Sequence, residues 1–134
     1  MFNLMRKKRK SDFYLRRMQK LLDAWGNPEK KLKIIHVAGT SGKGSTVTYL
    51  HNILASAGIR VGSFYSPYPT VPIEKILVND QYIAPTELAA LTEAIKPILL
   101  KHLFMKDTGG APSYFEIWFA IALKYFVQKK CEYA

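Results

Sequence analysis

The sequence predicts an α/β fold, a doubly wound parallel sheet with flanking helices, and three observations carry that prediction. An apolar, β-branched run, LKIIHV at 32–37, leads straight into the glycine-rich stretch GTSGKGST at 39–46. Tyr49, Leu50, Ile53, Leu54 and Ala57 then recur at helical spacing up to a stop at Gly58. A second apolar run, RVGSFY at 60–65, follows at once, as the return strand of a right-handed crossover would.

The elements follow in order. Residues 1–12 read as a basic tail. Phe13, Leu15, Met18, Leu21, Leu22 and Trp25 fall near helical spacing, and Gly26-Asn27-Pro28 ends that amphipathic helix. The strand at 32–37, the glycine loop and a helix to about Ala57 come next, then the strand at 60–65, parallel to the first. The proline-rich loop SPYPTVP at 66–72 leaves its carboxyl end, the edge where doubly wound sheets bind ligands. Residues 73–78 and 81–83 form a small hairpin around Asn79-Asp80. A helix spans about 86–104 with a kink expected at Pro97, whose ring removes a helical donor. After a glycine-containing loop at 106–112, the helix at about 113–128 is apolar on most faces and should lie buried. Residues 132–134 begin where a third strand is due, so the sheet is expected to be incomplete.

The glycine loop carries the chemistry. Gly39, Thr40, Ser41, Gly42, Lys43, Gly44, Ser45 and Thr46 put three glycines, one lysine and four hydroxyls into eight positions between strand and helix. Backbone amides freed by glycine can curl round an anion, and the helix N-terminus adds partial positive charge. Lys43 would neutralise a β/γ-phosphate, and Ser45 or Thr46 would offer a hydroxyl near the accompanying Mg²⁺. The spacing departs from G-x-x-x-x-G-K-[ST]: Val37 replaces the first glycine and Gly44 separates Lys43 from Ser45.

Composition narrows the remaining classes. The 134 residues are 49% hydrophobic, enough for a globular core. The single cysteine, Cys131, excludes an internal disulfide and fits a buried apolar role in a reducing compartment; no secretory signal is present, and the cytoplasm is the expected location. The densest apolar stretch, 117–123, is far shorter than the roughly 20 residues of a membrane span, and no membrane partner is expected. The formal charge of +10 is concentrated in Arg6, Lys7, Lys8, Arg9 and Lys10, with Arg16, Arg17 and Lys20 behind them. Without an aromatic stacking platform this block reads as a solvated tail in preference to a nucleic-acid surface, although a nucleic-acid-binding protein led by that tail stays open as an alternative.

Four ordered segments, HVAGTSGKGST, the Ser66-Pro67 loop, IEKILVN at 73–79 and PSYFE at 112–116, resemble the amino-terminal part of the folylpolyglutamate synthase/dihydrofolate synthase family, a branch of the Mur ligase superfamily. The resemblance runs from Phe13 to Ala134. It implies a P-loop, Mur ligase-like, Rossmann-type domain, of which 13–134 would be the amino-terminal part. It also implies an ATP- and Mg²⁺-dependent amide ligase that joins L-glutamate to a folate or pteroate carboxylate through an acyl phosphate. Lys43 then matches the catalytic lysine and 39–46 the ATP loop. Ser66 matches the family's metal-binding serine of the Ser-Pro loop, beside Ser45, which the loop reading already places near the metal. Ser113, Tyr114, Phe115 and Glu116 match the substrate-binding segment, with Phe115 as the stacking candidate, and Asp12, Phe13 and Tyr14 align with a pterin-binding turn. The family's other metal ligands and its glutamate-binding domain would lie beyond Ala134. The 134 residues alone are therefore expected to be inactive and marginally stable, and a full-length parent to be monomeric. Ser41, Tyr68 and Tyr14 stand where the family has asparagine, histidine and a nearby glycine, so a Mur-type ligase with another acceptor, such as a peptidoglycan precursor, remains the alternative.

Overall fold

The computed structural model describes residues 10–66, 70–104 and 110–134. The basic block at 6–9, Pro67, Tyr68 and Pro69 of the proline-rich loop, and the loop residues 105–109 lie outside the described residues.

Helix α1 (Lys10–Ala24) buries Leu21 and Leu22, and Trp25 just beyond it, where the indole Nε1–H donates to the Ala120 carbonyl at 3.2 Å. Its first half is different from the sequence expectation. Phe13 and Leu15 are exposed, because only the last two turns meet the other helices. Gly26 and Asn27 take left-handed φ values of 88° and 49°, and Pro28 opens a 3₁₀ turn, Pro28–Lys31. The stop read from Gly-Asn-Pro is thus a left-handed helix end followed by a fixed φ.

Helix α2 (Lys43–Ser56) leads to strand β1 (Gly62–Phe64), which pairs antiparallel with β2 (Ile76–Val78); β2 turns through Asn79, at φ 50°, into β3 (Gln81–Tyr82). The parallel part of the sheet is a ladder around the last residues. Lys33 N–H donates to Glu132 O at 3.0 Å, Ala134 N–H to Lys33 O at 3.0 Å and Ile35 N–H to Ala134 O at 2.8 Å. On the opposite side Glu132 N–H donates to Arg60 O at 2.8 Å and Gly62 N–H to Tyr133 O at 2.9 Å. Two expectations are corrected here. The strand expected at 32–37 is laddered only at 33–35, and among the described residues no ladder hydrogen bond reaches His36 or Val37. The runs at 32–37 and 60–65 are parallel but not neighbours, because 132–134 lies between them.

Helix α3 (Pro85–Phe104) runs through Pro97 and buries Leu91 and Ile95. Helix α4 (Tyr114–Gln128) opens with a capping box, in which Ser113 Oγ accepts from the Glu116 amide and the Glu116 carboxylate accepts from the Ser113 amide. Its residues Ala120, Ile121, Ala122, Leu123, Tyr125 and Phe126 are buried, as an all-round apolar helix requires. Tyr125 Oη–H donates to Glu87 Oε2 at 3.1 Å and Lys129 pairs with Glu87 at 2.6 Å, fastening α4 to the start of α3. At the crossing of α4 and β1, a Cβ on Gly62 would stand 2.3 Å from Phe126 Cδ1, so only glycine lets strand and ring meet. Cys131 is buried in the same core.

Candidate functional site

The glycine loop is placed as its sequence anticipates. Gly42 is the N-cap of α2 at φ 74°, a left-handed conformation that suits glycine, and no side chain caps the helix. No acidic residue stands in the first turn. The first intrahelical bond reaches back from Thr46 N–H to Gly42 O at 3.0 Å, which leaves the amides of Lys43, Gly44 and Ser45 without an intrahelical acceptor. A Cβ placed on Gly44 would meet nothing within 4 Å, so the approach to these amides is open. Lys43 folds over the loop and donates from Nζ to Gly39 O at 2.6 Å and to Thr40 O at 3.3 Å. A 14-residue helix with an uncapped N-terminus, glycine flanks and a lysine held over them fits an anion.

Of the hydroxyls, Thr46 Oγ1 donates to Gly42 O and Thr48 Oγ1 to Gly44 O, both at 3.0 Å. Each keeps lone pairs for an acceptor role. Ser45 is exposed on the first turn, and Ser66 is exposed two residues beyond β1. Among the described residues no group of three or more His, Cys, Asp or Glu is placed to hold a metal ion. The oxygens present fit a magnesium ion only as the companion of bound phosphates, with one or two protein hydroxyls completing a largely phosphate and water shell.

Lys43, Gly44, Ser66 and Phe115 line one cavity of about 580 Å³. Its walls are residues 34–37 and 61–66, one face of α2 and one face of α4. The α2 face is Val47, Leu50, His51 and Leu54. That corrects the stripe read from the sequence, since Tyr49 and Ile53 are 70% and 65% exposed.

The PSYFE segment splits. Phe115 reaches the cavity, half exposed, with its ring 5.4 Å from that of Phe64. Tyr114 stacks against Trp118 at 5.9 Å and receives the Lys75 ammonium over its face at 4.6 Å. Ser113 and Glu116 are engaged in the capping box, and Glu116 also pairs with Arg17 at 2.7 Å. Burial opposes the charge on Glu116, but the Ser113 amide and the Arg17 guanidinium outweigh it and hold the carboxyl below its ordinary value. Arg17 in turn lies over the rings of Phe13 and Tyr14, so the aromatic pair of α1 and the start of α4 share one cation. Asp12 is exposed at the start of α1.

The sequence reading missed His51. It is buried on α2, with Nε2 2.6 Å from Asn79 O and Nδ1 2.9 Å from Ser63 Oγ. A carbonyl can only accept, so Nε2 carries a proton and donates to Asn79 O, and Nδ1 shares a hydrogen bond with the Ser63 hydroxyl. The signal available was a lone histidine at i+4 from Val47 on an otherwise apolar face.

Comparison with known proteins now decides the family. No protein-family model matches the chain. A dihydrofolate synthase/folylpolyglutamate synthase of Bacillus subtilis is 43% identical over 116 residues, 85% of this chain and 26% of the relative. The folylpolyglutamate synthase of Thermotoga maritima superposes with a TM-score of 0.83 at 39% identity, over 88% of this chain and 28% of that one. The chain belongs to the folylpolyglutamate synthase/dihydrofolate synthase family. It spans about a quarter of the length of the relatives it matches. A further family structure, a complex with AMPPCP and folate, matches with a TM-score of 0.79 at 30% identity over 88% of this chain and 28% of that one. Among the described residues no helix is long and apolar enough to cross a membrane.

Proposed function

We propose that residues 13–134 form the ATP-binding, amino-terminal part of a cytoplasmic carbon–nitrogen ligase that joins L-glutamate to a folate- or pteroate-type carboxylate. The observation that carries this reading is the uncapped N-terminus of α2 with Lys43 held over its glycine loop. In the proposed reaction a carboxylate oxygen takes the γ-phosphoryl group of ATP with release of ADP, and the acyl phosphate is then attacked by the glutamate amine, which forms the amide and releases phosphate. A carboxylate is a poor electrophile until one oxygen becomes a leaving group, so the protein's task is to hold two anions together and offset their charge.

Each part of the chain has a role in this proposal. The amides of 42–45 and the Lys43 ammonium bind the phosphates, and Gly39, Thr40 and Ser41 shape the turn. A magnesium ion would offset phosphate charge, held by Ser45 or Thr46 on one side and Ser66 on the other. Phe115 offers an exposed ring to a flat heteroaromatic acceptor, next to Tyr114, while Ser113 and Glu116 fix the helix start that presents them. Support for the acceptor class comes from the family complex with AMPPCP and folate.

Isothermal calorimetry with Mg-ATP tests the reading. Replacing Lys43 with alanine removes a charged contact of roughly 1.5–3 kcal/mol, about one to two decades of affinity. Thermal stability should hardly change, since the lysine's own partners are exposed loop carbonyls. Unchanged affinity in Lys43→Ala would overturn the phosphate-loop role.

A further inference from the structure

The hydroxyls of the proposed magnesium site stand on two different elements. Ser45 and Thr46 belong to the first turn of α2, whereas Ser66 stands two residues beyond β1. Magnesium demands near-ideal octahedral distances, so an ion shared between them needs helix and strand held at one separation.

His51 makes that connection. It lies about two turns, or roughly 12 Å, along α2 from Lys43, and it is the buried residue of that helix. Its ring reaches two partners, with Nε2–H donating to Asn79 O at 2.6 Å and Nδ1 lying 2.9 Å from Ser63 Oγ. Both partners are tied to the strand that runs on to Ser66. Ser63 is the middle residue of β1 and is itself buried. Asn79 grips the residue before β1 twice: its amide donates to Val61 O and its side-chain Oδ1 accepts from Val61 N–H, both at 3.0 Å. Apolar burial is non-directional and lets surfaces slide, whereas hydrogen bonds from both nitrogens of one ring fix the helix in rotation and along its axis. The same face of α2 otherwise carries Val47, Leu50 and Leu54, where an apolar residue at position 51 would pack without the cost of burying a polar ring.

We propose that His51 is a positioning residue: through Ser63 and Asn79 it sets the distance between the α2 loop and Ser66, and with it the fit of magnesium between them. The proposal rests on the Mg-ATP reading of the site. It differs from a general stabilising role in one respect. The loop amides and Lys43 lie at the start of α2 and keep their mutual arrangement when the helix shifts as a body, so ATP alone should bind as before and only the contribution of magnesium should fall.

Calorimetry with ATP, in EDTA and in excess Mg²⁺, tests this on the 134-residue chain, at a temperature where melting curves show each variant folded. His51→Leu should bind metal-free ATP within about twofold of the parent and lose about tenfold in affinity for Mg-ATP, a common cost of removing a group that orients a metal ligand. His51→Gln, whose amide nitrogen can reach Asn79 O, should recover most of that loss. In a Ser66→Ala background His51→Leu should cost nothing further, since both act through one ligand. Ser63→Ala removes a single partner; it should show the same selectivity at smaller size, and it takes the place of His51→Leu should that variant not fold. Without any nucleotide, NMR of the parent should show a slowly exchanging Nε2 proton on His51. Equal losses with and without magnesium, additivity with Ser66→Ala, or absence of that proton would overturn the positioning role. Failure of the parent to bind ATP under either condition would overturn the phosphate-loop reading, and this role with it.

Discussion

Substituting alanine for Gly62 tests whether the close crossing of β1 and α4 is real. The added methyl would stand 2.3, 2.5 and 2.6 Å from three ring carbons of Phe126, against an optimal carbon–carbon separation of about 3.5–4.0 Å. The shortfall exceeds 1 Å, and Phe126 is buried, so neither ring nor strand can yield freely. Gly62 is not in the left-handed region, so the penalty is steric alone. Overpacking of this kind costs about 1–3 kcal/mol, partly offset by about 0.4–1 kcal/mol from the stiffer unfolded chain. A net loss of about 1–2 kcal/mol lowers a urea midpoint by roughly 0.5–1 M at ordinary slopes. Truncating the ring through Phe126→Ala removes all three carbons in conflict, so Gly62→Ala should cost less than half as much in that background. Full stability of Gly62→Ala, or an equal loss in both backgrounds, would refute the geometry.

Two further outcomes follow from the charges and the thiol. The Glu116 carboxyl is held below its unfolded value, so its stabilisation is complete above the ordinary carboxylate range and is lost as pH falls through the lower, folded value. Glu116→Gln keeps an acceptor for the Ser113 amide but loses the charge facing Arg17; it should cost about 0.5–1 kcal/mol near neutrality and converge with the parent in acid, and a gap independent of pH would contradict this. Burial pushes the Cys131 thiol up to about 11, with Arg60 opposing it only in part. Labelling by a thiol reagent at pH 8 should therefore wait on opening of the fold and accelerate with urea, whereas immediate labelling of the native chain would show the site to be misplaced.

Much of the architecture was legible because several elements carry redundant signals. Helix α4 combines a Ser-x-x-Glu start with an apolar run too short for a membrane and too continuous for a surface helix. The loop was legible because strand, glycines, lysine and helix follow one another without interruption. The inward face of α2 was not: Tyr49 and Ile53 are as apolar as Leu50 and Leu54, and periodicity cannot rank two apolar stripes on one helix. The same ambiguity exposed Phe13 and Leu15 of α1. The sheet order was hidden for another reason. Local sequence fixes strand identity, but only long-range pairing shows that 132–134 separates 33–35 from 61–62. Within the site, the family resemblance assigns Ser113 and Glu116 to substrate, and the structure shows that the two also form the capping box of α4, which only the hydrogen bonds could reveal.

The amides at 42–45 are aimed by α2, and the one buried residue of that helix is His51, held by hydrogen bonds to Asn79 O and at Ser63 Oγ. Two such bonds contribute about 0.5–1.5 kcal/mol each, less than the roughly 1.5–3 kcal/mol of each fully buried aliphatic side chain. Val47, Leu50 and Leu54 instead face the cavity that Lys43 and Ser66 also line. The aim of the loop amides therefore depends on His51 and its two partners more than on apolar packing of α2.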